Sequence, residues 1–475
     1  MYLAILILYI LLLFFVGWIT SRRHHDNAAF FSANRTAPWY VVAFGMIGAS
    51  VSGISVVSVP GMVTSAGWTY LQTCIGFFFG YVVVAYVLLP LYYKLNLTSI
   101  YQYLDTRYGR ESRLTGAWLF VVARIVSSAS KLYVAVIVLQ QFVFAQLGVP
   151  LWATVVGCVA VMWLYTQRSG IRTIVWTDAL QTALLIVAIV VMCVEIFSLI
   201  GMPIHDLSAT LAGRDDTRIF EFDDMASTRN FWKQFVSGIF IVVVMTGLDQ
   251  DMMQKNLTCR TLGQSQRNML SYGAAFVPVN FLLLFLGSMC VLYASQHQLV
   301  LPSKPDAMLP MMVSSAMSPI AGIAFMVGIV SATFSSADSA LTSITTSIAV
   351  DIVGIKPDDA RRRRILHLLV CAVFVAVVLA FDLFNNSSVL DTIYTIVGYA
   401  YGPLLGLFAF GLMTKRMPRA RFVPMIAVGS PLLCYGINYA TRTLWDYVFG
   451  YELLMLNGLI TFAALWLASI GRRNN

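Results

Sequence analysis

The sequence predicts an all-α integral membrane protein with thirteen transmembrane helices, and three observations support this. The 475 residues are 59% hydrophobic and only 11% charged, whereas soluble proteins carry about a quarter charged residues. Apolar runs that reach the roughly 20 residues needed to cross a bilayer recur along the chain. The basic residues between these runs alternate between rich and poor loops. We therefore expect one transmembrane domain over residues 1–475.

The apolar runs define the spans in chain order. They lie at 2–20, 40–65, 66–93, 114–147, 150–168, 174–201, 231–254, 270–296, 313–350, 365–384, 389–414, 421–440 and 450–471. The runs 114–147 and 313–350 are longer than a perpendicular helix needs, so we expect these helices to be tilted or to extend past the bilayer.

The distribution of positive charge predicts the orientation. One alternating set of loops holds 23 Lys and Arg residues and the other holds 6. Because the rich side is cytoplasmic in most membrane proteins, the amino terminus is expected outside and the carboxyl terminus inside. The net charge of +9 then reflects topology, and no nucleic-acid partner is expected. The run Arg361–Arg364 is interpreted as an anchor near anionic membrane lipid.

The stretch "ATFSSADSALTS", residues 332–343, places hydroxyl groups inside a predicted span. Ala332, Ser335, Ser336 and Ser339 follow the spacing i, i+3, i+4, i+7 and therefore share one helix face. Small residues of this kind also serve helix packing. A row of neutral, hard oxygens suits a hard cation, and the scarcity of carboxylates favours a monovalent one. The stretch thus predicts a sodium site.

A second span contains residues that weaken a helix. The segment "FGMIGASVSGISVVSVPG", residues 44–61, combines glycine, proline and small residues. Glycine and proline open the helical ladder, and opened backbone is tolerated in a membrane only where it lines a cavity or is buried in protein. The released carbonyl oxygens can coordinate an ion. Close helix packing through glycine is the alternative interpretation.

Four ionisable residues lie within predicted spans, where each is unfavourable unless it is paired or faces a cavity. They are Arg124, Lys131, Asp178 and Asp338. Internal ion pairs between helices and a binding site for ions or solute both remain open for these residues. The seven cysteines are scattered, with no cluster typical of a disulfide framework or a metal centre.

Five motifs in order along the chain resemble those of the sodium/solute symporter family, which includes sodium/glucose, sodium/proline and sodium/sialic acid transporters. The motifs are "GASVSGISVVSVPGMVTSAGW", "IRTIVWTDALQ", "GLDQDMMQKNLTCRT", "SATFSSADSALTS" and "GYAYGPLLGLFAFGLMTKR". The resemblance implies a LeuT-type core of five plus five helices in inverted repeats. It implies an extra helix and loop at 1–39, repeats at 40–201 and 231–414, and two further helices at 421–471.

The resemblance also assigns residues. The sodium site would use Gly48, Val51, Ala332, Ser335 and Ser336. A candidate second sodium site would use Asp178, Asp338 and Ser339, although Asp338 replaces an expected hydroxyl. The solute would meet Ser50, Ser52, Ser55, Tyr70, Gln72, Arg124 and Lys131, the last two as partners for a carboxylate.

The predicted function is secondary active symport, in which inward sodium movement drives uptake of a small polar organic solute by alternating access. Sugars, sugar acids such as sialic acid and related organic anions are the expected solutes. A proton-coupled carrier of the same fold is the main alternative, and a cation channel is a weaker one because the polar residues trace no continuous pore. No enzyme activity is expected, since no nucleophile–base pair or metal cluster is visible. A monomeric unit in the plasma membrane, as in a bacterial inner membrane, completes the prediction.

Overall fold

The computed structural model describes residues 1–21, 27–225, 227–356, 359–383, 388–447 and 449–470. These residues are helical apart from connecting loops and one isolated bridge between Ala37 and Cys259. Eight helices of this part of the chain are long and apolar enough to cross a membrane, or nine if one bent pair forms a single span. The predicted all-α membrane protein is therefore confirmed.

The helices of the first half are as follows. They are α1 (Tyr2–Ser21), α2 (Asn27–Ser32), α3 (Trp39–Ser50), α4 (Gly53–Ala66), α5 (Tyr70–Val83), α6 (Leu89–Lys94), α7 (Gln102–Tyr108), α8 (Arg110–Leu139), α9 (Leu151–Thr166), α10 (Ile171–Ile200) and α11 (Ile204–Ala212).

The second half continues the bundle. Its helices are α12 (Phe231–Val242), α13 (Gln250–Asn256), α14 (Leu262–Gln296), α15 (Met308–Ser315), α16 (Pro319–Ser347), α17 (Ala360–Leu383), α18 (Ser388–Met413), α19 (Phe422–Trp445) and α20 (Leu453–Ala468).

Helix α16 lies at the centre of the bundle. Every residue from 328 to 347 is buried, and α16 packs against α3, α4, α8, α10, α13 and α17. Its many Ala and Ser residues have small side chains, so the neighbouring helices can approach closely. The hydroxyl face predicted from spacing therefore lies in the interior, away from lipid.

The run predicted as a single span at 231–254 is bent. Helix α12 continues through a wide turn to Gly247, and α13 follows at 72° to it. Asp249 starts α13 because its carboxylate accepts hydrogen bonds from the N–H groups of Asp251 and Met252. Such a cap satisfies donors at a new helix start. The bend returns the following residues to the bundle interior.

Two basic residues that were counted with the loops are buried. Lys255, at the end of α13, is 1% exposed, and Arg363 is fully buried. The Arg363 guanidinium lies 4.2 Å from the centre of the Phe30 ring, while Arg361, Arg362 and Arg364 are exposed. Arg363 is therefore not available to a membrane surface, and the lipid-anchor interpretation stays a prediction for Arg361, Arg362 and Arg364 alone.

Candidate cation and solute site

The backbone between α3 and α4 is broken at Val51 and Ser52, which have non-helical backbone angles. In a continuous helix the N–H groups of Ser52 and Ser55 would bond to the carbonyls of Gly48 and Val51. Here the Ser52 N–H bonds to Ser50 O at 3.0 Å, and the Ser55 N–H bonds to Ser52 Oγ at 3.5 Å. The carbonyls of Gly48 and Val51 are thereby released from the ladder.

The hydroxyl face of α16 lies against this break. Ser336 Oγ donates to Ala49 O at 2.9 Å, and Ala332 and Ser335 are fully buried on the same face. Gly53 permits the contact, because a Cβ at this position would lie 2.2 Å from Thr333 Oγ1. The structure thus brings the two predicted halves of the sodium site together.

Thr182 on α10 braces the end of α3, and sequence reasoning missed it. Its hydroxyl accepts from the Gly48 N–H at 3.1 Å and donates to Gly45 O at 3.3 Å. A Cβ at Gly48 would lie 2.2 Å from Thr182 Oγ1. The signal was present in the sequence, since Thr182 lies four residues after Asp178 and so shares its helix face.

Asp178 links three helices. Its Oδ1 accepts from Ser335 Oγ of α16 at 2.6 Å, and its Oδ2 lies 2.8 Å from Lys255 Nζ of α13. Both members of the ion pair are about 1% exposed. Lys255 was missed because residues 231–254 resemble one straight span, which would place Lys255 in the loop after it. Only the bend between α12 and α13 carries it to Asp178.

Asp338 faces another direction on α16. Tyr165 of α9 donates its hydroxyl to Asp338 Oδ2 at 2.5 Å, and Ser339 Oγ donates to Asp338 Oδ1 at 3.4 Å. The two carboxylates of the candidate second site therefore have different partners. Asp338 and Asp178 still interact electrostatically with the same ammonium, that of Lys255.

Arg124 is paired with carboxylates of the chain itself. Its guanidinium forms an ion pair with Asp251 and lies 3.7 Å from Asp249 Oδ2. Tyr401 of α18 donates to the same Asp249 oxygen at 2.6 Å. Asp249 and Asp251 are fully buried and were not anticipated, again because the bend in the seventh run was not. Arg124 thus joins α8 to α13.

Lys131 is the other basic residue of α8, and it is half-buried. Its ammonium forms no ion pair or hydrogen bond with the described residues. A cavity of about 210 Å³ begins one helical turn farther along, where Val134 and Val138 of α8 face Ile54 and Val57 of α4. Because residues three and seven positions apart share a helix face, Lys131 lies below this cavity on the same side of α8.

The three predicted serines of the break are close together. Ser52 Oγ and Ser55 Oγ are 3.3 Å apart, and Ser50 Oγ hydrogen-bonds to Tyr272 OH of α14. Tyr81 of α5 donates to the same Tyr272 oxygen at 2.7 Å. A chain of hydroxyl groups therefore runs from the break towards α5.

Gln72 and Tyr70 lie in different surroundings. The Gln72 amide donates to Arg229 O at 2.9 Å and accepts from the Glu221 N–H at 3.1 Å, so it holds the loop that connects α11 to α12. The Tyr70 ring packs against Phe77, about two turns farther along α5.

A family model described as the sodium:solute symporter family matches residues 30–422. Among curated proteins, the sodium/iodide cotransporter of Homo sapiens is 26% identical over 414 residues, which is 83% of this chain and 63% of that protein. The sodium/sialic acid symporter NanT of Aliivibrio fischeri is also 26% identical, over 84% of this chain and 80% of that protein. The chain thus spans a little under two thirds of the first relative and four fifths of the second.

A solved Na⁺-coupled sialic acid symporter, in a substrate-bound outward-open state, has the same fold. It superimposes with a TM-score of 0.84 at 21% identity and covers 98% of this chain and 97% of its own. These relatives are transporters, which confirms the expectation of a multi-pass, sodium-coupled transporter and not an enzyme. The chain belongs to the sodium:solute symporter family.

Proposed function

We propose that this protein imports a small organic anion together with sodium by alternating access. The sodium ion would bind between the carbonyls of Gly48 and Val51 and the Ala332, Ser335 and Ser336 face of α16. The observation that carries this proposal is the hydrogen bond of 2.9 Å between Ser336 and Ala49, since it joins the broken helix to the hydroxyl face.

The donor set fits sodium. Carbonyl and hydroxyl oxygens are hard, neutral ligands, and a site with few carboxylates suits a monovalent ion. Ser335 supports this chemistry, because a hydroxyl that donates its proton to Asp178 turns its lone pairs away from that carboxylate. These lone pairs are then available to a cation near α3.

Two observations support an anionic solute. The Lys131 ammonium makes no ion pair or hydrogen bond with the described side chains, and it lies about one helical turn before Val134, which lines the cavity between α4 and α8. Iodide and sialic acid, named for the two relatives, both carry negative charge. Arg124 is the weaker candidate for the solute carboxylate because Asp249 and Asp251 already neutralise it.

The cavity also bears on the kind of anion. Most of its lining is aliphatic, including Ile54, Val57, Val134 and Val138. Gln141 and Asp306 also line the cavity, and a partly apolar solute body would lie here with its charged head towards Lys131. Gln72, which bonds to the loop connecting α11 and α12, would contribute to the solute site only after that loop has moved, whereas Tyr70 stays a proposed solute contact.

The broken helix suggests how the cycle proceeds. Sodium would hold α3 and α4 against α16 and so favour the solute-binding arrangement.

We assign thirteen spans in a LeuT-type core, with repeats at 40–201 and 231–414, the amino terminus outside and the carboxyl terminus in the cytoplasm. Each sodium charge that moves inward at 100 mV would contribute about 2.3 kcal/mol. The proposed transport unit is a monomer in a bacterial inner membrane, surrounded by lipid.

Uptake into proteoliposomes tests the coupling ion. A panel of radiolabelled solutes, comprising pyruvate, lactate, N-acetylneuraminate and glucose, is first screened by thermal shift in sodium and in choline buffer. We expect a carboxylate to stabilise the protein in sodium only, and its uptake to stop when choline replaces external sodium. Uptake that persists in choline and follows an imposed proton gradient would instead establish the proton-coupled alternative.

A further inference from the structure

Seven ionisable side chains of the described residues form one electrostatic cluster around α13. The members are the carboxylates Asp178, Asp249, Asp251 and Asp338 and the cations Arg124, Lys131 and Lys255. When all are ionised, the four carboxylates exceed the three cations by one charge. A buried cluster with an unbalanced charge is unfavourable in a low-dielectric interior. In that fully ionised state, one further monovalent cation would balance the charge of the cluster.

Lys255 occupies a position within this cluster where a mobile cation could bind. Its ammonium lies 2.8 Å from Asp178 Oδ2 and interacts electrostatically with Asp338 and Asp251. None of its donors makes a hydrogen bond of good geometry, so the ammonium is held by charge. Asp178 and Asp338 are also the two carboxylates of the candidate second sodium site.

A tethered cation has an advantage over a free one at such a position. Binding a free sodium ion requires that the ion lose its translational freedom and its hydration shell, whereas the Lys255 ammonium is already in place and loses neither during the cycle. The short helix α13 determines its position, because Asp249 caps the start of the helix and Arg124 holds Asp251. Sodium cannot share the same oxygen, since two like charges in contact repel strongly.

We propose that the Lys255 ammonium holds the position of a second sodium ion beside Asp178, so that the transporter binds one sodium ion per chain. This inference rests on the proposed sodium site at Gly48, Val51, Ala332, Ser335 and Ser336. It adds the stoichiometry and names the residue that determines it. Replacement of Lys255 by a neutral residue of similar size then opens a second cation site next to the first.

If the ion pair between Lys255 and Asp178 serves only to join α13 to α10, a different experimental result is expected. Its loss would weaken the protein in every salt, and the number of bound sodium ions would not rise. A tethered cation can be replaced by a free one, so sodium should compensate for its loss. The number of bound ions is therefore the measurement that separates the two explanations.

The experiment is equilibrium binding of ²²Na⁺ to the purified full-length protein without solute. We expect one ion per chain for the wild type, two for Lys255→Met and one for the double variant Asp178→Asn/Lys255→Met, in which the excess of one negative charge is restored. Lys304→Met is the matched control, because it removes an ammonium from an exposed loop position, and it should bind one ion.

Melting temperature in sodium and in choline provides a second measurement. The stabilisation of Lys255→Met by sodium should exceed that of the wild type, with a steeper dependence on sodium concentration. One bound ion in Lys255→Met, two in the wild type, or failure of Lys255→Met to purify as a monodisperse protein in sodium would overturn the inference.

The proposed function fails separately from this inference. Absence of saturable ²²Na⁺ binding in the wild type would contradict the sodium site and the inference together. One bound ion in both the wild type and Lys255→Met would contradict the tethered cation alone and leave the first sodium site in place.

Discussion

Ser335 Oγ donates a hydrogen bond to Asp178 Oδ1 over 2.6 Å and so joins the hydroxyl face of α16 to α10. The same carboxylate pairs with Lys255 of α13 through its second oxygen. The proposed sodium site and the buried charge cluster are therefore adjacent, with Ser335 and Asp178 as the common boundary. A substitution in the charge cluster should therefore alter sodium binding, and a substitution in the sodium site should alter the cluster, so that mutations can test both.

Removal of either serine hydroxyl should weaken sodium binding. We expect Ser335→Ala and Ser336→Ala to raise the sodium concentration for half-maximal stabilisation at least about tenfold, which corresponds to about 1.4 kcal/mol. The matched control is Ser343→Ala, since Ser343 is also buried on α16 but bonds to Ala340 O of its own helix at 3.0 Å. Thermal-shift titration with sodium measures all three, and unchanged sodium affinity in both site variants would refute the assignment.

Thr182→Val should loosen the end of α3. The valine keeps the shape of threonine but removes the hydroxyl that bonds to the Gly48 N–H and to Gly45 O, and each such bond contributes about 0.5–1.5 kcal/mol. We expect a lower melting temperature and weaker sodium affinity, with recovery in Thr182→Ser. Thr177→Val is the control on the same helix, because Thr177 bonds only to carbonyls of α10. Equal effects of the two valine substitutions would argue against a bracing hydroxyl.

Lys131→Met should reduce binding of an anionic solute much more than binding of a neutral one. The substitution retains most of the side-chain volume and removes the charge that lies about one helical turn before the cavity-lining Val134. We expect at least a tenfold loss of affinity for the carboxylate identified in the solute screen, measured by thermal shift in sodium. The exposed Lys304→Met variant serves as the control for a lost positive charge. An equal loss for glucose and for the carboxylate would count against a direct contact between Lys131 and the solute.

Arg124→Met should destabilise the protein, because it leaves Asp249 and Asp251 buried without their cation. Breaking a buried ion pair by removal of one partner typically costs about 3–5 kcal/mol. The double variant Arg124→Met/Asp251→Asn should recover part of this stability. Arg218→Met, which breaks an exposed pair with Asp223, should leave the melting temperature nearly unchanged. If Arg124→Met melts like the wild type but loses solute binding, Arg124 contacts the solute after all.

Much of the architecture was predictable from local patterns. Composition and apolar runs indicate membrane helices because a bilayer demands about 20 apolar residues for each crossing. The spacing of Ala332, Ser335 and Ser336 indicates one helix face because 3.6 residues complete a turn. The glycine-rich second run indicates opened backbone, and the structure has its break at Val51 and Ser52. In each case the signal lies within a single element.

The sequence by itself determined the membrane class, the family and the hydroxyl face of α16, since these depend on composition, motif and helical period. Only the tertiary structure decided which charges meet. Lys255 resembles a loop residue until the 72° bend before α13 carries it to Asp178, which lies 77 positions earlier in the chain. Arg124 resembles a solute ligand until the same bend supplies Asp249 and Asp251. Ion pairs between distant segments depend on how helices pack, and packing is a property of the whole chain that no local pattern contains.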